Sequence, residues 1–219
     1  MTNGPVLLGA GDVAAIVAAV EAGGVVMLPT DTVYGLCCDP RNAAAVDRIY
    51  EIKGRRGDVP LATLVSSAEA ARPIVDGSRS EFDLDSIDAA DWPGQLTLVL
   101  PLAAECGFAH GVGIGGAEPT VGLRRPAPSL VADVLATCGV LAATSANTHG
   151  EPTLVTPSQI LDQLGVRAAA IAAYVEGGRL ESTPSSVVNI GADGWTMLRD
   201  GPLTRFELDQ LLGVGATGS

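Results

Sequence analysis

The feature that most constrains the fold is the way apolar residues come in short runs, each cut off by glycine, proline or a polar residue. Val25 to Leu28, Leu61 to Val65, Leu96 to Leu100, Thr120 to Leu123, Val140 to Ala143, Ser186 to Ile190 and Trp195 to Leu198 are each four or five residues long. Runs of that length with such boundaries read as strands. Helical patterns lie between them. Residues 12–22 have helical apolar spacing and stop at Gly23-Gly24, while residues 41–52 place Ala45, Val46, Ile49 and Ile52 on one face and stop at Gly54. Ser129 to Cys138 reads as a helix closed by Gly139. Thr156-Pro157-Ser158-Gln159 has the pattern of a capping box with proline at the first helical position, and Thr204-x-x-Glu207 opens a last helix in the same way.

This alternation is too irregular for a doubly wound fold, and several strands follow one another through short Gly/Pro links. The expectation is an α/β sandwich on one twisted, mixed sheet. No linker or internal repeat divides the chain, so residues 1–219 are expected to form a single domain, with roughly the last ten residues as a tail.

Composition excludes several classes of function. At 47% apolar and 17% charged residues the chain is globular rather than disordered. Its apolar runs fall far short of a bilayer span, and Asp12 and Glu21 interrupt any signal-peptide core. A cytoplasmic protein without membrane contact is expected. Cys37, Cys38, Cys106 and Cys138 lack C-x-x-C spacing, and His110 and His149 are the only histidines, so no metal site is expected. A net charge of −12 argues against a broad basic face for nucleic acid. A local basic cleft stays open, because the field there depends on the charges lining it.

Four polar islands interrupt the core pattern. Pro29-Thr30-Asp31-Thr32-Val33-Tyr34-Gly35-Leu36 follows an apolar strand, where α/β proteins build ligand sites; the alternative is a turn in which Asp31 caps its own backbone. Lys53-Gly54-Arg55-Arg56-Gly57-Asp58 holds the single lysine and two arginines. They suit an anion, or else complement a helix C-terminus. Thr120-Val121-Gly122-Leu123-Arg124 points Thr120, Gly122 and Arg124 to one face, either towards a polar cavity or with the arginine at a solvent end. Thr144-Ser145-Ala146-Asn147 ends another apolar strand in small donors, a neutral phosphate cradle or an Asx/ST-turn. The glycine-rich run 111–116 lacks a P-loop pattern and reads as a flexible loop.

Together and in this order, PTDTVYGL (29–36), KGRRGDVPL (53–61), WPGQLTLVLP (92–101), TVGLRRP (120–126), TSANTHGEPT (144–153), PSSVVNI (184–190) and MLRDGPL (197–203) resemble the YrdC-like family of threonylcarbamoyl-AMP synthases. The resemblance implies a YrdC-like α/β sandwich with a concave ligand groove. It also implies a nucleotidyltransferase that makes L-threonylcarbamoyl-AMP and pyrophosphate from L-threonine, bicarbonate or CO₂, and ATP. The product would pass to the tRNA threonylcarbamoyl-transferase machinery. Carried over by position, Lys53, Arg55, Ser145 and Asn147 become the catalytic tetrad. ATP would be held by these four with Thr120 and Arg199, and threonine by Thr32, Arg124, Thr144 and Ser185. Mg²⁺ would arrive bound to the nucleotide. The chain departs from the family at Leu64, where many relatives have a threonine-contacting histidine, and at Val59. These departures keep open a paralogue acting on another carbamoyl substrate. A non-catalytic nucleotide- or RNA-binding module is the third alternative, and the acidic charge speaks against stable tRNA binding.

Overall fold

The computed structural model describes residues 4–54, 59–127, 129–181 and 183–213. Ten strands form one sheet: β1 (Val6–Leu8), β2 (Val26–Pro29), β3 (Tyr34–Cys38), β4 (Ala62–Val65), β5 (Leu96–Pro101), β6 (Thr120–Arg124), β7 (Val140–Ser145), β8 (Ala173–Val175), β9 (Ser186–Gly191) and β10 (Gly194–Arg199). Their order is β1-β8-β2-β3-β7-β4-β6-β5-β9-β10. The pairs β1–β8, β2–β8, β4–β6 and β5–β9 are parallel and the rest antiparallel, so the sheet is mixed as expected. All seven expected strands are present. The apolar pattern passed over β1, β3 and β8: β1 and β8 are three residues long, and β3 is buried at every position and so has no polar/apolar alternation.

The helices are α1 (Val13–Glu21), α2 (Ala43–Lys53), α3 (Ala68–Ala71), α4 (Leu84–Ala89), α5 (Leu130–Cys138), α6 (Pro157–Leu164) and α7 (Arg205–Leu212). Their ends follow the local chemistry. Asn42 caps α2 by accepting from the Ala45 N–H, and Gly54 closes it in the left-handed conformation (φ 65°). Thr204 and Glu207 form a reciprocal capping box on α7, whereas at α6 only the Thr156 half is made, and there the Thr156 hydroxyl also donates to Gln159 Oε1. The expected tail partly overlaps α7, and its residues 214–219 lie outside the described residues.

Strand alternation divides the sheet into two faces. On one face Met27, Leu36 and Ala142 pack against α2 and α6. Further along that face Val65, Leu98, Leu123 and Val188 pack against α3, α4 and α7. On the other face α1 and α5 meet Val26, Leu28, Cys37 and Leu141. Those two helices leave the β4-β6-β5-β9 half of their face uncovered. The groove there is the concavity that a YrdC-like sandwich was expected to have.

Candidate active site

The uncovered half-face is a cavity of about 370 Å³. Its floor follows from period-two alternation. Leu96, Leu98 and Leu100 of β5 enter the core, which turns Thr97 and Val99 to the cavity; Val121 and Leu123 of β6 likewise leave Thr120, Gly122 and Arg124 facing it. A Cβ on Gly122 would lie 3.3 Å from Thr97 Cγ2, so glycine keeps the floor low. Thr32, Thr144, Ser145, Ser185 and Arg199 complete the set of expected site residues that line the cavity.

Asp31 does not cap its own backbone. Thr30 does that work: its hydroxyl accepts from the N–H groups of Thr32 (3.1 Å) and Val33 (3.2 Å) and donates to the Val33 carbonyl (2.7 Å). Asp31 instead reaches across the sheet. Its Oδ1 pairs with Arg124 Nη2 and its Oδ2 accepts from the Ala127 N–H at 3.1 Å, while Arg124 Nε donates to the Gly94 carbonyl. Arg124 is therefore a buried, paired cation (7% exposed), not an arginine at a solvent end.

A second guanidinium comes from the end of β10. Arg199 donates from Nε and Nη2 to the Ser185 carbonyl (3.0 and 2.9 Å) and from Nη2 to the Ser185 hydroxyl (3.1 Å), which lies 2.8 Å from Thr97 Oγ1. Burial lowers the pKa of both arginines; Asp31 pulls Arg124 back up, and the Arg199 charge pushes it down further. Both stay protonated. Among the described lining residues these two arginines are the only charged ones, so the cavity is cationic in a chain of net charge −12.

Behind Ser145 lie Lys53 and Asn147 of the expected tetrad. Lys53 is 2% exposed, and its Nζ donates to the carbonyls of Ser145 (2.6 Å) and Asn147 (2.8 Å) and to Asn147 Oδ1 (3.3 Å). Ser145 Oγ donates to the same Oδ1 (2.6 Å), and Asn147 Nδ2 donates to the carbonyls of Thr148 (3.1 Å) and Glu151 (2.6 Å). Lys53 thus fixes the 145–147 backbone from behind instead of solvating a helix end. Arg55, with Arg56, Gly57 and Asp58, lies outside the described residues.

Sequence reasoning missed several members of this arrangement. Thr97 could have been found, because strict alternation in Leu96-Thr97-Leu98-Val99-Leu100 exposes it on the face opposite the leucines. Gln163 and Arg167, which hold Thr148 through its N–H (2.9 Å) and its hydroxyl (3.0 Å), carried no signal, since they arrive from another helix and the turn after it. The run 111–116 is tied down rather than loose: Leu61 N donates to the Gly111 carbonyl (2.8 Å), Gly113 N to the Leu61 carbonyl (3.2 Å), and Ile114 bridges Thr120. Leu64 and Val59 both line the cavity, Leu64 from the core (2% exposed) and Val59 from the rim (38% exposed).

Comparison with known proteins places these features in context. The Sua5/YciO/YrdC family model, whose description reads "Telomere recombination", matches residues 18–201. A Mycobacterium tuberculosis protein is 34% identical over 205 residues, spanning 91% of this chain and 88% of its own length. A Vibrio campbellii protein named threonylcarbamoyl-AMP synthase is 31% identical over 174 residues, 78% of this chain and 90% of its own. Among solved structures, P. abyssi Sua5 complexed with L-threonine superposes with a TM-score of 0.81 at 26% identity over 96% of this chain, which spans 61% of the length of that Sua5. The E. coli YciO structure shares the fold (TM-score 0.72, 21% identity, 90% of this chain and 94% of that one).

Proposed function

Because the chain belongs to the Sua5/YciO/YrdC family, we propose that it is an L-threonylcarbamoyladenylate synthase. The observation that carries the reading is a pair of guanidinium groups, the buried Arg124 and the more exposed Arg199, lining one hydroxyl-rich cavity. Such a cavity suits a substrate pair with two separate anionic groups, here an amino-acid carboxylate and a nucleotide phosphate chain.

The threonine amine takes up CO₂ as a carbamate, and a carbamate oxygen attacks the α-phosphorus of ATP. Pyrophosphate leaves with the electron pair of the broken P–O bond. No enzyme nucleophile is needed, so catalysis is positioning and charge compensation. Arg124 takes the threonine carboxylate, with Thr32, Thr144 and Ser185 beside it. Thr120, Ser145 and Arg199 face the nucleotide, and Asn147 supports them from behind by accepting from the Ser145 hydroxyl. Arg55 acts on the phosphates, and Lys53 supports that site through the 145–147 backbone it holds. No group of three or more His, Cys, Asp or Glu among the described residues is placed to bind a metal, so nucleotide-bound Mg²⁺ would be carried by the phosphates. The product is consumed by a tRNA threonylcarbamoyl-transferase in the cytoplasm. No helix of the described residues is long and apolar enough to cross a membrane.

The test is incubation with ATP, bicarbonate and each amino acid in turn, following pyrophosphate and the adenylate. Threonine should give a threonylcarbamoyl-adenylate. Leu64 favours a second reading, since its buried apolar side chain lines the cavity where many relatives have histidine. An adenylate from another amino acid, with none from threonine, would establish the paralogue instead.

A further inference from the structure

The reaction above gives no role to the carboxylate of Asp31, yet two separate segments are built around it. It accepts from the Ala127 N–H after β6 and pairs with Arg124 at the end of that strand. Gly94, in the turn before β5, lies against it so closely that a Cβ there would fall 1.9 Å from Asp31 Oδ2 and 2.6 Å from the Ala127 nitrogen. Gly94 also accepts from Arg124 Nε through its carbonyl. The side chains of Arg124 and Asp31 are 9% and 13% exposed, so solvent screens this pair little. Of the guanidinium's five N–H donors, the described bonds engage those on Nε and Nη2, and Nη1 carries none of them.

We propose that Asp31 is a positioning residue that holds the Arg124 fork at a fixed angle, so that its remaining donors face the carboxylate of the amino-acid substrate. The inference rests on the reading that Arg124 takes that carboxylate. Arginine is a long side chain whose value at such a site lies in presenting a pre-oriented planar fork. Asp31 and the Gly94 carbonyl grip one edge of the fork and remove its freedom before substrate arrives. The opposing possibility is that Asp31 competes with the substrate for Arg124, as an internal anion in the same place. The two ideas predict opposite signs when the charge is removed.

The experiment uses wild type, Asp31→Asn and Gly94→Ala. Initial rates of pyrophosphate release are measured with the amino acid varied at saturating ATP, then with ATP varied, alongside thermal melting. Positioning predicts that Asp31→Asn raises the KM for the amino acid about tenfold or more and leaves the KM for ATP nearly unchanged. Gly94→Ala should shift the same KM in the same direction, because its methyl displaces Asp31 without altering any charge. A lower amino-acid KM in Asp31→Asn, an unchanged one, or equal rises for both substrates would overturn the proposal. Should Asp31→Asn fail to fold, Gly94→Ala is read on the same two constants. If wild type uses a different amino acid, the threonine reading falls while the split between the two constants still decides the role of Asp31. If it uses none, both fall.

Discussion

Lys53 is the residue whose role the structure changes most. A lone lysine in an acidic chain suggests a phosphate contact, and removing it would then abolish turnover without touching the fold. Its ammonium is instead bound to the carbonyls of Ser145 and Asn147, deep under the cavity wall. Deleting a buried partner leaves those carbonyls unsatisfied, at a cost of about 1–3 kcal/mol. Lys53→Met should therefore lower Tm by roughly 2–12 °C as well as reducing kcat. Differential scanning calorimetry beside the pyrophosphate assay checks this. A variant with lost activity and an unshifted melt would return Lys53 to a purely phosphate-facing role.

At the scale of elements, β3 is the strand with the most at stake in alkali. Burial pushes the Cys37 thiol up to about 12 from an ordinary 9.0, against the pull of Arg124. Burial, with Cys37 and Asp39 nearby, raises Cys38 as well, and burial raises the Tyr34 phenol. Groups whose folded pKa lies above the unfolded one favour the native state fully below the unfolded value, and that advantage drains away as pH climbs towards the folded value. Stability should thus hold to about pH 9 and then fall towards pH 12, with Cys37 alone contributing about 1.4 kcal/mol per pH unit. Urea midpoints at pH 8, 9.5 and 11 would show this, and Cys37→Ala should flatten part of the slope; a midpoint constant across that range would refute it. The same strand marks where the sequence stopped being legible. Alternation exposed the face of β6, and with it Thr120, Gly122 and Arg124. It was silent on β3, which is buried on both sides. Local pattern also could not foresee that Asp31 meets Arg124, since they stand 93 residues apart and only the crossing order of the sheet brings them together. The resemblance of the motifs located the cavity wall, but not which of its side chains the protein spends on its own backbone.

Over the whole molecule, the net charge and the charge lining the cavity have opposite signs. The chain carries −12 overall, yet its cavity presents two arginines and no described acidic lining residue. A net charge of −12 would meet an approaching anionic nucleotide with a repulsive field that extends about a Debye length, roughly 8 Å at physiological salt and 30 Å at 0.01 M. Once inside, the nucleotide meets Arg199 at the end of β10 and the deeper Arg124, whose side chain is largely withdrawn from solvent and so is much less screened. Added salt should therefore remove the repulsion before it weakens the capture. We expect kcat/KM for ATP to rise as ionic strength goes from about 0.01 M to about 0.15 M. A protein that captured nucleotide with an exposed basic face would show the reverse, as would one that held tRNA by phosphate contacts, whose affinity falls steeply over that range. Steady-state rates across a potassium chloride series at fixed free Mg²⁺ decide between them. A monotonic fall from the lowest salt would mean that the long-range field at the cavity mouth is already positive, and that the acidic surface lies elsewhere on the molecule.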